Sequence, residues 1–435
     1  MSKKTSSRTI ALDILLEIGS SQKYAVDLLD EKLSQTLPDV REAALATELV
    51  YGTIRMRGTL DWIIKEFSAR PLSEIGPVAL NCLRLGIYQL HYLDKIPDYA
   101  AVNESVNLAK MRGNPGAGRF VNAILRKFLE KMDRLRFPER DRDPIQYIAV
   151  TYSCPHFLVE RWAKRYRTEQ TEDICRVNNI PPPLFVRTNT LKISRKELDD
   201  RLRDEGIKTE SIGEVPVALR LLNCPAPSAL PSFREGLFYV QDLTAMKVVY
   251  HLKPQQNENI LDLCAAPGGK ATFIAQQMQK SGTVIACDSD PARTAKIDEN
   301  LKRLDIPNVT VITCDAAELL ETYRKTPFDR VLVDAPCSNT GVLRRRVEAR
   351  WRLSKSDFER LPKLQLELLD IASQMVKVDG VLLYNTCSID PSENEDVARK
   401  FLSNHKEFRI NLEQTYLPEE DGGDGGYIAR FVRSA

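Results

Sequence analysis

Apolar residues change their spacing as the chain proceeds, and the change divides it into three segments. Over residues 1–135 they recur at helical intervals. Ile10, Ala11, Ile14, Leu15 and Ile18 form one stripe; Ala79, Cys82, Leu83, Gly86, Ile87 and Leu90 form a second; Phe120, Val121, Ile124, Leu125, Phe128 and Leu129 form a third. Asp39 and Glu42, just after Pro38, have the spacing of a capping box that opens a long helix. These stripes predict an all-α bundle. The polar, basic stretch "RKFLEKMDRLRFPERDRDP" then leads the chain out of it.

Residues 145–235 mix two periods. "FLVERWAKRY" and "TEDICRVNN" read as helices, "LFVRTNTL" reads as a strand, and Ser194 with Glu197 caps "RKELDDRLRDEG". A small α/β subdomain is expected there. From 236 to 435 short apolar runs alternate with helical stretches: "NILDLC", "TVIACD", "VTVITCD", "FDRVLVD" and "GVLLYNTC". That alternation predicts a doubly wound, Rossmann-like α/β domain with a parallel sheet. Ligands of such a domain gather at the carboxyl ends of the strands.

Composition narrows the class without naming a function. The 435 residues allow two or three domains, and 28% charged with 43% hydrophobic residues is ordinary for a globular chain. No apolar run approaches the length of a membrane span. Asp13 and Glu17 interrupt the apolar part of the N-terminal segment, which therefore reads as an amphipathic helix rather than a signal peptide. Nine cysteines, an odd total with no CxxC pair, argue against a disulfide framework and a zinc site, and His91, His156, His251 and His405 are scattered. The expectation is a cytoplasmic, monomeric protein with free thiols, no metal and no membrane contact.

"LDLCAAPGGKATFIA" sets a glycine turn between a buried strand and a helix. Gly268 and Gly269 let backbone N–H groups approach a ligand, and the helix start favours a negative group. A Walker A loop would require glycine at 264 and Ser or Thr at 271, where Cys264 and Ala271 stand, and a GxGxxG dinucleotide loop is absent. S-adenosylmethionine is the cofactor left. Asp288, twenty residues after Gly268, ends the next strand, where an acid grips ribose hydroxyls, and Asp315 ends the third strand, within reach of an adenine amine. Such aspartates also serve merely as helix caps. Three strand-end acids in order after a glycine loop, Asp288, Asp315 and Asp334, favour the cofactor.

A lone cysteine is by default inert core filler, and Cys82, Cys154, Cys175, Cys224, Cys264, Cys287 and Cys314 are read so. Cys337, in "DAPCSNTG", and Cys387, in "NTCSIDPSENE", differ because each lies past a strand end on the cofactor face. Carbon 5 of cytosine is too weak a nucleophile to take a methyl group from a sulfonium directly. A thiolate added at C6 turns the ring into an enamine, whose C5 then attacks the methyl group; loss of the C5 proton and elimination release the thiol. Asp334, at the end of the strand before Cys337, is placed to hydrogen-bond or protonate N3. The residues alone leave open which thiol is the nucleophile.

"CAAPGGK", "DAPCSNTG" and "YNTCS" together resemble the Nol1/Nop2/Sun family of RNA cytosine-5 methyltransferases. The N-terminal helices resemble the antitermination factor NusB, through "ELVYGTIRMRGTLDWII", "LRLGIYQL" and "GRFVNAILRKF". The resemblance implies Cys387 as nucleophile and Cys337 as the thiol that assists release. It implies cofactor contacts at Cys264, Ala265, Ala266, Pro267, Gly268, Gly269, Lys270, Asp288, Asp315 and Asp334, with Arg187 and Asn189 of "VRTNTLK" facing RNA. It further implies 16S ribosomal RNA as partner and, in conventional ribosomal numbering, cytosine 967 as target. Asn339 stands where the family loop has glycine, and Arg346, Val347 and Glu348 stand where it has an HPD-like turn. Asparagine tolerates left-handed backbone angles, so the loop is expected to survive.

"LRRRVEARWR" places Arg344, Arg345, Arg346, Arg350 and Arg352 among ten residues, beside Trp351. Next to a catalytic loop this cluster suits RNA phosphates; in isolation it would read as a solvated helical face. Two rival functions stand beside 16S methylation. One is the same reaction on tRNA or at another rRNA position; the other is a non-enzymatic RNA-binding or antitermination factor on a degenerate methyltransferase fold.

Overall fold

The computed structural model describes residues 6–21, 23–36 and 39–434, so Pro38 and the first five residues lie outside the described chain. The chain forms two compact units. One comprises Met1–Ile180 with Leu343–Arg352, the other Pro181–Val342 with Leu353–Ala435.

The first unit is helical, and the three predicted stripes fall on the helices Ser7–Ser20, Pro77–Tyr92 and Pro115–Lys131, whose apolar faces share one core. The Asp39 carboxylate caps Val40–Arg55 by accepting from Arg41 N and Glu42 N, both at 3.0 Å. The box is only half formed, because Glu42 accepts from the Ser7 N–H (2.9 Å) instead of reaching back.

By its contacts the first unit runs past 135 to Ile180. Pro144–Thr151 and His156–Val177 belong to the helices, where Thr59 Oγ1 donates to Val150 O (2.6 Å) and Gly58 N to Ser153 Oγ (2.8 Å). "FLVERWAKRY" and "TEDICRVNN" are two helices meeting at Arg167, whose φ of 61° breaks the run.

Leu343–Arg352, read in sequence as an RNA-facing cluster, is an inserted strap of this unit. Val347 lies in the helical core, and Trp351 Nε1 donates to Ile54 O at 2.7 Å. Arg350 is 1% exposed and donates to Ser153 O (3.2 Å), Asn178 O (3.0 Å) and Asn179 Oδ1 (2.9 Å). Glu348 accepts from Ala25 N (2.8 Å), and Arg346 and Arg352 lie over the Tyr24 ring at 5.0 and 5.6 Å. Arg344 is likewise 1% exposed. The expectation of phosphate contact is therefore corrected for Arg344 and Arg350, which have no surface to offer. Arg346 keeps an exposed side chain and Arg345 a partly exposed one.

The second unit contains two sheets. In the smaller, β1 (Leu184–Thr188) pairs with β3 (Ala218–Leu222) and β4 (Phe238–Val240), and β2 (Lys208–Ser211) pairs with β3, all antiparallel in the order β2-β3-β1-β4. Its fourth strand lies past 235, because β4 completes the β1 edge rather than opening the next domain. Ser194 and Glu197 form a complete capping box on Arg195–Asp204.

The larger sheet has the order β10-β11-β9-β8-β5-β6-β7. β5 (Asn259–Leu263), β6 (Thr283–Asp288), β7 (Val309–Thr313), β8 (Phe328–Asp334) and β9 (Val376–Thr386) are the five predicted runs, and they pair in parallel. β10 (Phe408–Tyr416) and β11 (Gly426–Arg433) add an antiparallel hairpin beside β9 that was not foreseen, so the sheet is mixed. A short connection permits only an antiparallel return, whereas each parallel neighbour requires a crossover. Sandwiched in this sheet, Asp262 of β5 is fully buried. Burial, then the Asp334 carboxylate, pushes its pKa up to about 8, while Lys270 and the Ala271 N–H pull it down.

Two stability predictions follow from these buried groups. Arg350→Met leaves the carbonyls of Ser153 and Asn178 without a donor and should destabilise the helical unit by about 1–3 kcal/mol, read as a lower Tm of the full chain. Asp262 holds its proton in the folded chain to about pH 8, against about 4 unfolded. Its contribution is complete below the lower value and is lost as pH rises through the higher one. Asp262→Asn should flatten the fall in Tm between pH 5 and 8; equal slopes would place the titration elsewhere.

Candidate active site

The carboxyl ends of β5, β6, β8 and β9 bring the predicted site together. After β5 the chain turns through Cys264, at φ 64°, and Gly268, at φ 94°, into the helix Gly269–Gln277. A Cβ on Gly268 would lie 2.9 Å from Ile297 Cγ2, so the close approach as well as the backbone angle requires glycine. No side chain caps this helix; the Ala271 N–H goes to Asp262, and the N–H groups of Gly269 and Lys270 head the loop. That is a fitting seat for the carboxylate of an amino-acid cofactor. The Cys264 thiol is pushed up to about 12 by burial, then by Asp334 and Asp288.

Asp288 is buried at the end of β6 and braces the loop. It accepts from Ala266 N (3.2 Å) and from Arg293 Nη1 (3.3 Å), while Arg293 Nη2 donates to Ala266 O (2.9 Å). Asp315 is exposed and caps the helix Ala316–Tyr323, accepting from Glu318 N at 2.8 Å. Capping does not consume its second oxygen.

Arg187 and Asn189 require correction as RNA contacts. Arg187, 1% exposed, donates to Gly269 O (2.6 Å), Thr272 Oγ1 (2.9 Å) and Gln241 Oε1, with its guanidinium over the Phe273 ring at 4.7 Å. Asn189, also buried, donates to Gly236 O and Leu304 O, both at 2.9 Å. Both fasten the small sheet to the cofactor loop and to the helix that ends at Leu304. The groups they donate from are turned inside the protein.

At the centre, Lys270 Nζ meets Asp334 Oδ2 at 2.6 Å, and Asn385 Nδ2 donates to Asp334 Oδ1. Burial works against the Lys270 ammonium, but Asp334, then Asp262 and Cys387, more than offset it and raise its pKa. The two candidate thiols are in contact, with Cys337 Sγ 2.9 Å from Cys387 Sγ. Asn339, at φ 60°, keeps the loop as expected and adds a role: Nδ2 donates to Cys337 O (3.0 Å) and Oδ1 accepts from Cys387 Sγ (3.2 Å). Gly341 N donates to Cys387 O (2.9 Å), and a Cβ there would meet Gly425 O at 2.4 Å, so this crossing of loops also demands glycine. Cys387 opens into a cavity shared with Lys270, Asn385, Thr386, Asp242 and Asp424.

The sequence reading missed the group beneath the thiols. Glu393, 0% exposed, accepts from Ser338 N (2.8 Å), Ser338 Oγ, Ser388 Oγ (2.7 Å) and Gln365 Nε2 (3.0 Å). Burial raises its pKa against the pull of the two serine hydroxyls. The Cys387 hydrogen bond, then burial, then the Cys387 and Glu393 charges hold the Cys337 thiol well above its ordinary range. The available signal was the repeated Cys-Ser pair, 337–338 and 387–388, with an acid shortly after the second.

Known proteins agree with this assembly. The family described as 16S rRNA methyltransferase RsmB/F matches residues 249–432, the NusB family matches 5–130, and the RsmF/B-like ferredoxin-like domain matches 154–226. A Bacillus subtilis protein named "Probable ribosomal RNA small subunit methyltransferase B" is 38% identical over 96% of this chain and 93% of its own. A Photorhabdus laumondii "Ribosomal RNA small subunit methyltransferase B" is 36% identical over 97% of each chain. The solved structure of PH0851 superposes with a TM-score of 0.81 at 27% identity, covering 97% of this chain and 98% of that one. A glycine loop under a braced acid, two touching thiols and full-length relatives of one kind converge: the chain belongs to the 16S rRNA methyltransferase RsmB/F family.

Proposed function

We propose that the protein transfers a methyl group from S-adenosylmethionine to carbon 5 of a cytosine in 16S ribosomal RNA, through a covalent adduct with Cys387. The observation that carries this reading is the contact of two free thiols, 2.9 Å apart, beside the Lys270–Asp334 ion pair. The names of the relatives support the 16S substrate, and the resemblance of the motifs supports cytosine 967. RNA cytosines must leave their stack to reach a pocket of this kind.

The cofactor fits the loop Cys264–Lys270, where the uncapped helix start would take its carboxylate, with Asp288 and Asp315 as partners for ribose and adenine. When bound it supplies an electrophilic methyl group. The chain's own residues do the rest. Lys270 supplies a positive charge near Cys387, while the Cys387 contact, burial and the Glu393 charge hold the Cys337 thiol up. Cys387 sulfur forms a bond to C6 of the base. Asp334, held by Lys270 and Asn385, is placed to support a proton at N3 and stabilise the adduct. After C5 is methylated a base takes its proton, and elimination breaks the S–C6 bond. Cys337, in contact with the departing sulfur, assists that release. Arg345 and Arg346 remain candidates for phosphate contact.

Cys387→Ala should abolish transfer of tritiated methyl groups to rRNA. Cys337→Ala should retain adduct formation and accumulate a protein–RNA species that runs slowly on a denaturing gel; exchanged outcomes would reverse the two roles. Bisulfite mapping of 16S rRNA with and without the gene should show one cytosine losing its methyl group. Loss at a tRNA position instead would favour the rival substrate, and no cofactor binding in calorimetry would favour the non-enzymatic factor.

A further inference from the structure

The reaction needs two thiols from different loops at one place, and the structure shows what joins the loops from below. Cys337 follows β8 and Cys387 follows β9, fifty residues apart in sequence. The next residue in each loop is a serine whose side chain turns away from the cleft into a buried polar knot. Ser338 Oγ and Ser388 Oγ lie 3.1 Å apart, and Thr340 Oγ1 is 2.9 Å from Ser388 Oγ. Glu393 is the centre of this knot. One oxygen accepts from both serine hydroxyls; the other accepts from Ser338 N and from Gln365 Nε2, whose amide also donates to Pro336 O at 2.9 Å.

We propose that Glu393 is the positioning residue of the two thiols, its single carboxylate fixing the distance between the Cys337 and Cys387 loops. This rests on the reading of Cys387 as nucleophile with Cys337 as its assistant. Four donors converge on a fully buried carboxyl and hold it in place from both loops, although burial still raises its pKa. One carboxylate thus ties the residue after Cys337 to the residue after Cys387, and its charge helps to hold the Cys337 thiol up. Glu393 touches neither base nor cofactor loop and acts only through the thiols.

The test compares full-length wild type with Glu393→Ala and Glu393→Gln. Two readouts are taken: methyl-transfer kinetics on 16S rRNA, and the pH dependence of iodoacetamide alkylation at each cysteine, resolved by mass spectrometry. Glutamine can keep the geometry, with its oxygen towards Ser338 N and Gln365 and its amide towards the serine hydroxyls, but it removes the charge. We expect Glu393→Ala to lower kcat roughly 10- to 100-fold, with KM for RNA and cofactor little changed. Glu393→Gln should move the alkylation profile of Cys337 to lower pH. An unchanged kcat in the alanine variant, or an unshifted Cys337 profile in the glutamine variant, overturns the proposal. If the alanine variant does not fold, the glutamine profile decides alone. A wild type that transfers no methyl group to cytosine overturns the function proposed above, and the alkylation profiles still decide the role of Glu393.

Discussion

Two sulfur atoms held in contact on loops fifty residues apart is a placement that no single segment can enforce. It depends on β8 and β9 being parallel neighbours, so that both loops leave the sheet at the same edge, with Asp334 opposite Asn385 in register. The remaining features of the site complete this constraint. Ala335 N donates to Asn385 O (2.9 Å), Gly341 N to Cys387 O, and Asn339 reaches both cysteine loops. The two loops behave as one rigid piece because their backbone groups satisfy each other.

Much of this was legible before any coordinates. The five parallel strands announce themselves as continuous apolar runs, since strands covered by helices on both faces have no polar side to display. The hairpin of β10 and β11 did not. β10 is a half-exposed edge strand, "FRINLEQTY", with little apolar content, and its partner follows a glycine-rich turn. The contacts of residues 144–177 show a different limit. Residues 144–177 carry helical periodicity like those before them, and periodicity reports the type of an element but not what covers it. The site followed the same logic. Cys337, Cys387, Asp334 and the glycine loop sit at strand ends, where local sequence shows them; Glu393 draws its donors from separate segments, and only the repeated Cys-Ser pair hints at it.

The arginines teach a related lesson about charge in sequence. Arg187, in the strand run "LFVRTNTL", and Arg350, in the basic "LRRRVEARWR", both read as RNA-facing groups, yet both are buried among carbonyls and aromatic faces. A guanidinium presents five donors in a rigid plane, so it can join several carbonyl ends at once where a lysine could satisfy only a point. In this chain that property serves the interior: Arg187 fastens the small sheet beside the cofactor loop, and Arg350 anchors the strap. A cluster of arginines is therefore ambiguous between an electrostatic face and a set of rivets, and burial alone separates the two.

The strap also bears on how such a chain can be divided. The polypeptide passes between the two units three times, at 180–181, 342–343 and 352–353, rather than once as in a simple tandem arrangement. A fragment beginning after Ile180 would carry Val347 and Trp351 stripped of their cover, while a fragment ending there would lack the residues that fill its own core. Gene fusion or exchange at a single junction thus cannot yield two self-sufficient halves. The interlacing ties the inheritance of the helical part to that of the catalytic loop from which the strap emerges.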